Sequence, residues 1–398
     1  MNRVKLGELL RIKHGYAFKS ENYVTSSPYA LVTLANISSS NSFRFDQEKT
    51  TFYGASFPEE FILHTDDLIM PLTEQVIGLF GNSAFIPSMK EIRFVLNQRV
   101  GKVIPNEGKA DKYYLHYLLS TEIVREQLEH RASGTKQRNI SPDDVYDVTV
   151  VVPELNVQQK IGKALYCLEA KVNVNNAIND NLEATAMSLY KSWVIDYEPF
   201  DLDDEGLPVG WYKAKLNDKL STSTQSINPQ KMDCDFVWHY SIPAYDNEKL
   251  PSKDIPSSIL SNKYIVPPNA ILVSKLNPDT KRIWRSVPCF ENAICSTEFI
   301  VFSAKEPTHR AFYYLLFNTG SFIDFLVSNA TGSTNSRMRV KPASSLDFEF
   351  ICPPNEVIDS FCRKVEPMLQ KIEENHLEIR KLKELIPIAV AKMMSSSR

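Results

Sequence analysis

The sequence predicts an α+β chain: two duplicated mixed α/β globular domains, separated by two long helices that pair as an antiparallel coiled coil. Three observations carry this. The chain repeats itself with a period of about 200 residues. Each copy ends in an apolar seam whose positions advance alternately by 3 and 4, the mark of coiled-coil packing. An acidic, Pro- and Gly-containing segment divides the copies at mid-chain, as linkers do.

The first domain is expected over 1–152. It opens on Lys5-Leu6-Gly7-Glu8-Leu9-Leu10, which matches Lys215-Leu216-Asn217-Asp218-Lys219-Leu220 in the second copy. Short β-rich runs follow, such as Tyr29 to Leu34 and Phe61-Ile62-Leu63, separated by turn clusters such as Ser38-Ser39-Ser40-Asn41. An aromatic helical run, Tyr113 to Leu119, leads into the polar loop Ala132 to Pro142 and a strand over Val148 to Val152. The second domain, 212–352, repeats the plan with Ala270 to Val273, Phe312 to Phe317, the loop Ala330 to Pro342 and the strand Phe348 to Ile351. A period this long suits a duplicated domain, not a solenoid.

Each strand ends in proline, Pro153 and Pro353, and a long helix follows. The first is expected over 153–197, with Asn156 as cap and Gln159 as its capping-box partner. The second, 353–398, is expected to be capped by Asn355 and bent or loosened at Pro367 and Pro387. Its seam repeats that of the first at an offset of 200, so Leu168, Val172, Asn175, Asn179 and Leu182 correspond to Met368, Ile372, Asn375, Ile379 and Leu382. Roughly 40 residues make a rod of about 60 Å. Asn175 and Asn375 sit near mid-helix, so an antiparallel pair is expected to bring them side by side or onto Asn179, because a buried amide needs a partner.

Composition is that of a globular protein: 398 residues, 43% hydrophobic and 23% charged. No apolar stretch approaches a membrane span, and the opening MNRVKLGELLRIKHGY lacks a signal-peptide core, so a cytoplasmic protein is expected. The net charge of −3 is misleading, because six acids crowd residues 196–205, at and within the start of the expected linker, 198–211. Without them the chain stands at +3, so any nucleic-acid binding must come from local patches. The cysteines Cys167, Cys234, Cys289, Cys295, Cys352 and Cys362 are scattered, form no C-x-x-C pair, and read as buried reduced thiols.

Catalytic motifs are missing. There is no phosphate loop, no nucleophile elbow, and no [Asp/Asn]-Pro-Pro-aromatic motif of a nucleotide methyltransferase. Glu107-Gly108-Lys109 imitates part of a nuclease motif and reads as a surface turn. No metal site and no catalytic residue is expected.

Polar loops are the better signal. Lys136, Gln137, Arg138 and Asn139, and their repeat partners Thr334, Asn335, Arg337 and Arg339, are residue types that suit phosphates and base edges. Two patches interleave cations with aromatics: Lys13, Tyr16 and Lys19 in the first half, and Lys275, Asn277, Lys281, Arg282 and Arg285 in the second. Phe18 and Trp284, within these patches, read as core.

The order and duplication of these features resemble the specificity subunit of type I restriction-modification systems. The resemblance rests on the paired loop, strand, proline and helix; on Glu198-Pro199-Phe200 with Gly206-Leu207-Pro208-Val209-Gly210-Trp211; and on Ser274-Lys275-Leu276-Asn277-Pro278 and Ser296-Thr297-Glu298-Phe299. It departs at Gln158-Gln159 and Val357-Ile358, where the family carries Glu-Gln, and at Met70-Pro71-Leu72-Thr73, which stands where a Ser-Lys-Leu-Asn-Pro equivalent is expected. The resemblance implies a non-catalytic subunit whose two target-recognition domains each read half of a bipartite, asymmetric site in double-stranded DNA. The helices would fix the spacing and dock two methyltransferase subunits, and restriction (translocase/endonuclease) subunits can join. This chain would bind no cofactor; S-adenosylmethionine and ATP belong to the partner subunits. The competing readings are a self-contained DNA methyltransferase or nuclease with degenerate motifs, and a coiled-coil protein adaptor.

Overall fold

A computed structural model describes residues 2–38, 41–75, 77–134, 137–287, 290–332 and 338–395, with the side chains of 394 and 395 left aside. The chain forms two compact units, residues 1–172 with 381–398, and residues 173–380. The division falls inside both long helices, so each unit takes a part of each.

In the first unit a four-stranded antiparallel sheet runs in the order Leu10–His14, Val100–Pro105, Leu68–Pro71, Ala84–Phe85. Its inner strand is apolar on both faces. Leu68 and Met70 join the cluster built with Leu6, Leu10, Tyr114, Leu118 and Val150, while Ile69 joins Ala30, Val32, Phe52 and Phe94 on the other side. A period of two with both faces covered produces this unbroken apolar run. The second cluster lies against a sheet in which Tyr29–Val32 and Arg93–Leu96 pair in parallel. Phe61 to Leu63, read as a strand, instead follows a 3-10 turn, Glu59–Phe61, and makes a single bridge from Ile62 to Val95.

The second unit repeats this plan. Its four-stranded sheet runs Leu220–Ser223, Phe299–Ala304, Ile271–Ser274, Ile283–Arg285. Ile271 and Val273 face one cluster and Leu272 the other, as in the first unit. Val237–Tyr240 and Ala293–Cys295 form the parallel pair. In each unit the first strand pairs with the last: Asn2–Lys5 with Thr149–Val152, and Tyr212–Lys215 with Glu349–Cys352.

The long helices span Leu155–Tyr190, followed by a π-type segment Lys191–Ile195, and Asn355–Ser395. Their starts correct two expectations. Glu154 and Pro354 supply the carbonyls that accept the first helical hydrogen bonds, so Asn156 and Asn355 lie inside the first turns. Gln158 does the anchoring at the first start. It is buried, accepts from the Asp111 backbone N–H at 3.2 Å, and donates to the Pro153 carbonyl at 2.9 Å. Gly162 lets that helix lie flush on the start of Lys112–Leu119, since a Cβ there would stand 2.5 Å from the Tyr114 nitrogen. Pro367 and Pro387 lie within one uninterrupted helical span.

Within the second unit the helices run antiparallel. Asn175 meets Glu378, Asn179 meets Asn375, and Trp193 meets Phe361 at 5.8 Å. The register is shifted by about a turn from the expectation. Asn375 donates to the Asn179 carbonyl oxygen at 2.8 Å, while Asn175 donates to the Glu378 carboxylate at 2.7 Å. Val172, Asn175, Asn179, Asn375 and Ile379 are buried, and Leu168, Leu182, Met368, Ile372 and Leu382 are half-buried.

The acidic segment is not an open linker. Tyr197 and Phe200 each pack on Trp211 with ring centres at 5.3 Å, within the core of the second unit. Its aromatics fold it back while its carboxylates stay outside. Cys295, Cys352 and Cys362 are buried, Cys234 is intermediate, and Cys167 is exposed, against the expectation for both; Cys289 lies outside the described residues. Among the described residues, no helix is long and apolar enough to cross a membrane.

Candidate nucleic-acid interface

Each unit carries its polar loop on the same backbone frame. In the first, Arg138–Asn139 pairs antiparallel with Thr73–Glu74, and the Ile140 N–H donates to the Leu72 carbonyl at 3.0 Å. In the second, the Val340 N–H donates to the Lys275 carbonyl at 3.0 Å, and Leu276 bridges Arg339. The neighbouring strand joins in the same way: Leu72 N–H donates to the Arg99 carbonyl, and Lys275 N–H to the Glu298 carbonyl, both at 2.9 Å. Met70 to Glu74 is therefore the structural equivalent of Val273 to Asn277. The composition of the two segments hides this; the ladder reveals it.

The side chains on this frame differ. In the first unit the Glu74 carboxylate is buried. It accepts from the Arg138 guanidinium, with Nε at 2.7 Å, and from the Leu79 and Phe80 backbone N–H groups at 2.9 and 3.2 Å. Arg138 also lies over the Phe80 ring, 5.6 Å from its centre. One carboxylate thus ties the polar loop to the turn that follows Glu74. Asn139 accepts from the Thr73 hydroxyl at 2.8 Å and from Gln137 at 3.3 Å. In the second unit the equivalent of Glu74 is Asn277. It adopts φ 47°, and its side-chain oxygen accepts from the Met338 N–H at 3.2 Å. The arginine brace moves to the next position: Arg339 meets Glu298 through two hydrogen bonds of 3.0 Å, which hold the guanidinium firmly in its charged form. Lys136, Thr334, Asn335 and Arg337 lie outside the described residues.

The two cation–aromatic patches fare unequally. Lys13 reaches the Glu60 carboxylate at 3.0 Å and lies 4.7 Å from the centre of the Phe61 ring, so its charge is already engaged. Lys19 is exposed, 3.9 Å from Glu21. Tyr16 is half-buried, with ring contacts to Phe18 and Phe61. Phe18 and Trp284 are core. In the second unit Lys281 is exposed and Lys275 half-buried, while Arg282 is clamped by Asp246 at 2.7 and 2.9 Å.

Arg285 corrects its expectation: it is buried and faces the second long helix. It meets Glu366 at 2.5 Å and Glu373 at 3.1 Å, with Arg310 3.8 Å from Glu373. Burial, and then Arg285, lowers the Arg310 pKa to about 10, and burial raises that of Glu373. This network docks the second domain on its helix. In the first unit the same task falls to Glu169, which accepts from the Tyr117 hydroxyl at 2.8 Å and stands 3.4 Å from His116 Nε2. Burial and then the Glu169 charge push the Tyr117 hydroxyl well above its usual range. Sequence reasoning missed both networks, because nothing in a lone Arg or Glu announces which helix it will meet.

Residues 1–184 match the family described as type I restriction modification DNA specificity domain. That match covers the first 184 of the chain's 398 residues. Among the described residues, the four-stranded antiparallel sheet of the second unit runs in the matching order, while the sheet that holds its parallel pair has five strands in place of four. Among related specificity subunits, the type I restriction enzyme MjaIX specificity subunit of Methanocaldococcus jannaschii is 23% identical over 324 residues, covering 75% of this chain and 71% of that one. The HindI specificity subunit of Haemophilus influenzae is 22% identical, covering 76% and 81%. In fold, this chain is similar to the crystal structure of a type I restriction-modification S subunit from M. genitalium, with a TM-score of 0.61, 13% identity, and coverage of 98% and 95%.

Proposed function

We propose that this chain is a specificity subunit that reads a bipartite, asymmetric site in double-stranded DNA, each unit taking one half through the end of its sheet where the polar loop is braced. The observation that carries the reading is the duplication of that frame, the same backbone ladder bearing different side chains. Two copies of one scaffold with different surfaces suit two different half-sites, since base-edge contacts specify and phosphate contacts position. The chain itself performs no chemistry. The long helices fix the half-site spacing and dock two methyltransferase subunits; restriction subunits can join that core. S-adenosylmethionine and ATP are held by those partners, and the assembly works in the cytoplasm.

Methylome sequencing of cells with and without the gene tests this. A bipartite motif with an interruption of fixed length should lose methylation when the gene is absent. An unchanged methylome in cells that express the methyltransferase subunits contradicts the proposal. Purified chain that methylates or cuts DNA unaided would return the reading to an enzyme.

A further inference from the structure

The tight turn Asn97-Gln98-Arg99 joins the parallel strand Arg93–Leu96 to the central strand Val100–Pro105. Its backbone lies between two segments already singled out. On one side the Tyr16 N–H donates to the Leu96 carbonyl at 2.9 Å, the Gln98 N–H donates to the Tyr16 carbonyl at 3.0 Å, and Tyr16 bridges Asn97. On the other side the Arg99 carbonyl accepts from Leu72, whose own carbonyl holds the polar loop at Ile140. Gly15 makes the approach possible, because a Cβ there would stand 2.0 Å from the Asn97 carbonyl oxygen. The turn thus fuses the aromatic patch and the polar loop into one surface, although these segments are far apart in sequence.

The charges on that surface are unequally available. Arg138 is committed to the buried Glu74 carboxylate. Lys13 is committed to Glu60. Arg99 is exposed, and among the described residues its side chain has no hydrogen-bond or ion-pair partner. The equivalent position in the second unit is Glu298, which neutralises Arg339. At one point of a shared frame, one half presents a free guanidinium and the other a carboxylate that quiets its loop.

Resting on the DNA-reading function proposed above, we propose that Arg99 is the guanidinium the first half presents to DNA. Arg138 is a positioning residue that holds the loop in shape. A free guanidinium suits a phosphate or the paired acceptors of a guanine edge; one already forked to a buried carboxylate has few donors left to give.

The test uses the full chain produced together with its methyltransferase subunits. The probe is a duplex carrying the motif assigned by methylome sequencing, titrated across salt concentrations. Arg99→Ala should do one of two things. If Arg99 holds a phosphate, the variant's slope of log affinity against log salt is shallower by about 0.9. If Arg99 reads a base, the variant binds roughly 5- to 150-fold more weakly and relaxes one position of the first half-site. In either case the thermal midpoint should stay unchanged. Arg138→Ala should lower the thermal midpoint and leave the salt slope intact. Arg99→Ala with unaltered slope and preference overturns the inference, as does Arg138→Ala with a reduced slope and an unchanged midpoint. A wild-type complex with no motif preference overturns the proposed function itself, which separates the two failures.

Discussion

The two halves share a backbone and differ in where they place their charges. In both, the loop stem bonds the strand after the inner sheet strand, Ile140 to Leu72 and Val340 to Lys275. Yet the first half braces the loop with a buried carboxylate, Glu74, and the second with a partly exposed one, Glu298. The domain-to-helix contacts diverge in the same way: a single Glu169 with Tyr117 in the first unit, a four-member charge network in the second. Backbone hydrogen bonds define the frame because every buried N–H and C=O must be satisfied. Side-chain charges on that frame are free to be redistributed, a freedom that suits the proposed reading of two different half-sites.

The largest expected effect breaks the docking network of the second half. Arg285→Ala leaves Glu366 and Glu373 facing a buried Arg310, and removing one partner of such a network costs about 3–5 kcal/mol. A two-step melt in which only one transition falls would show the halves to be separately stable. Glu169→Gln should cost only about 1 kcal/mol, because an amide oxygen still accepts from the Tyr117 hydroxyl. Equal losses would deny the contrast.

A pH dependence is expected of the second unit. His376, on the second long helix, is half-buried, and its pKa falls from 6.5 to about 4. Burial is the main cause, with Lys249 and Arg380 adding to it and Asp180 opposing it. A depressed folded-state pKa gives stability that is present above pH 6.5 and lost as pH falls toward 4. The loss should reach about 2–3 kcal/mol. His376→Gln should flatten denaturant midpoints across that window; an unchanged slope would refute the assignment.

The loop braces offer the next contrast. Glu74→Gln weakens the hold on Arg138 and on two backbone N–H groups at a buried site, and should cost about 1–3 kcal/mol. Glu298→Gln, at a partly exposed pair, should leave the melting temperature nearly unmoved and instead release Arg339. The reverse ranking would mean that burial does not set the strength of the braces.

A further contrast lies in the seam. Asn375→Leu should cost about 1–3 kcal/mol by stranding the Asn179 amide, whose nitrogen already lacks a partner. The double change Asn179→Leu with Asn375→Leu should restore most of that loss in a urea titration, while weakening the choice of register. A double variant no better than the single would show that the amide pair is not the coupled unit.

Much of this architecture is legible in the sequence. The duplication, the antiparallel helices and the apolar central strands follow from periodicity, which burial on one or both faces imposes directly. The ends of elements are less legible. Asn156 and Asn355 look like caps, but proline and the preceding carbonyls set those starts. The candidate interface is legible as two loops and two patches, not as one surface. Arg285 reads like Lys281 in sequence, yet one is buried against a helix and the other exposed, because only the tertiary fold decides which face meets the rod. Arg99 carries no local signal; it matters through its carbonyl, which places it beside Leu72.

The proposed function requires independent readers built on one frame. Exchanging residues of about 211 to 350 for the corresponding domain of a related specificity subunit, followed by methylome sequencing, tests it most directly. One half of the methylated motif should change to that of the donor, with the other half and the interruption intact. A motif altered in both halves would contradict it.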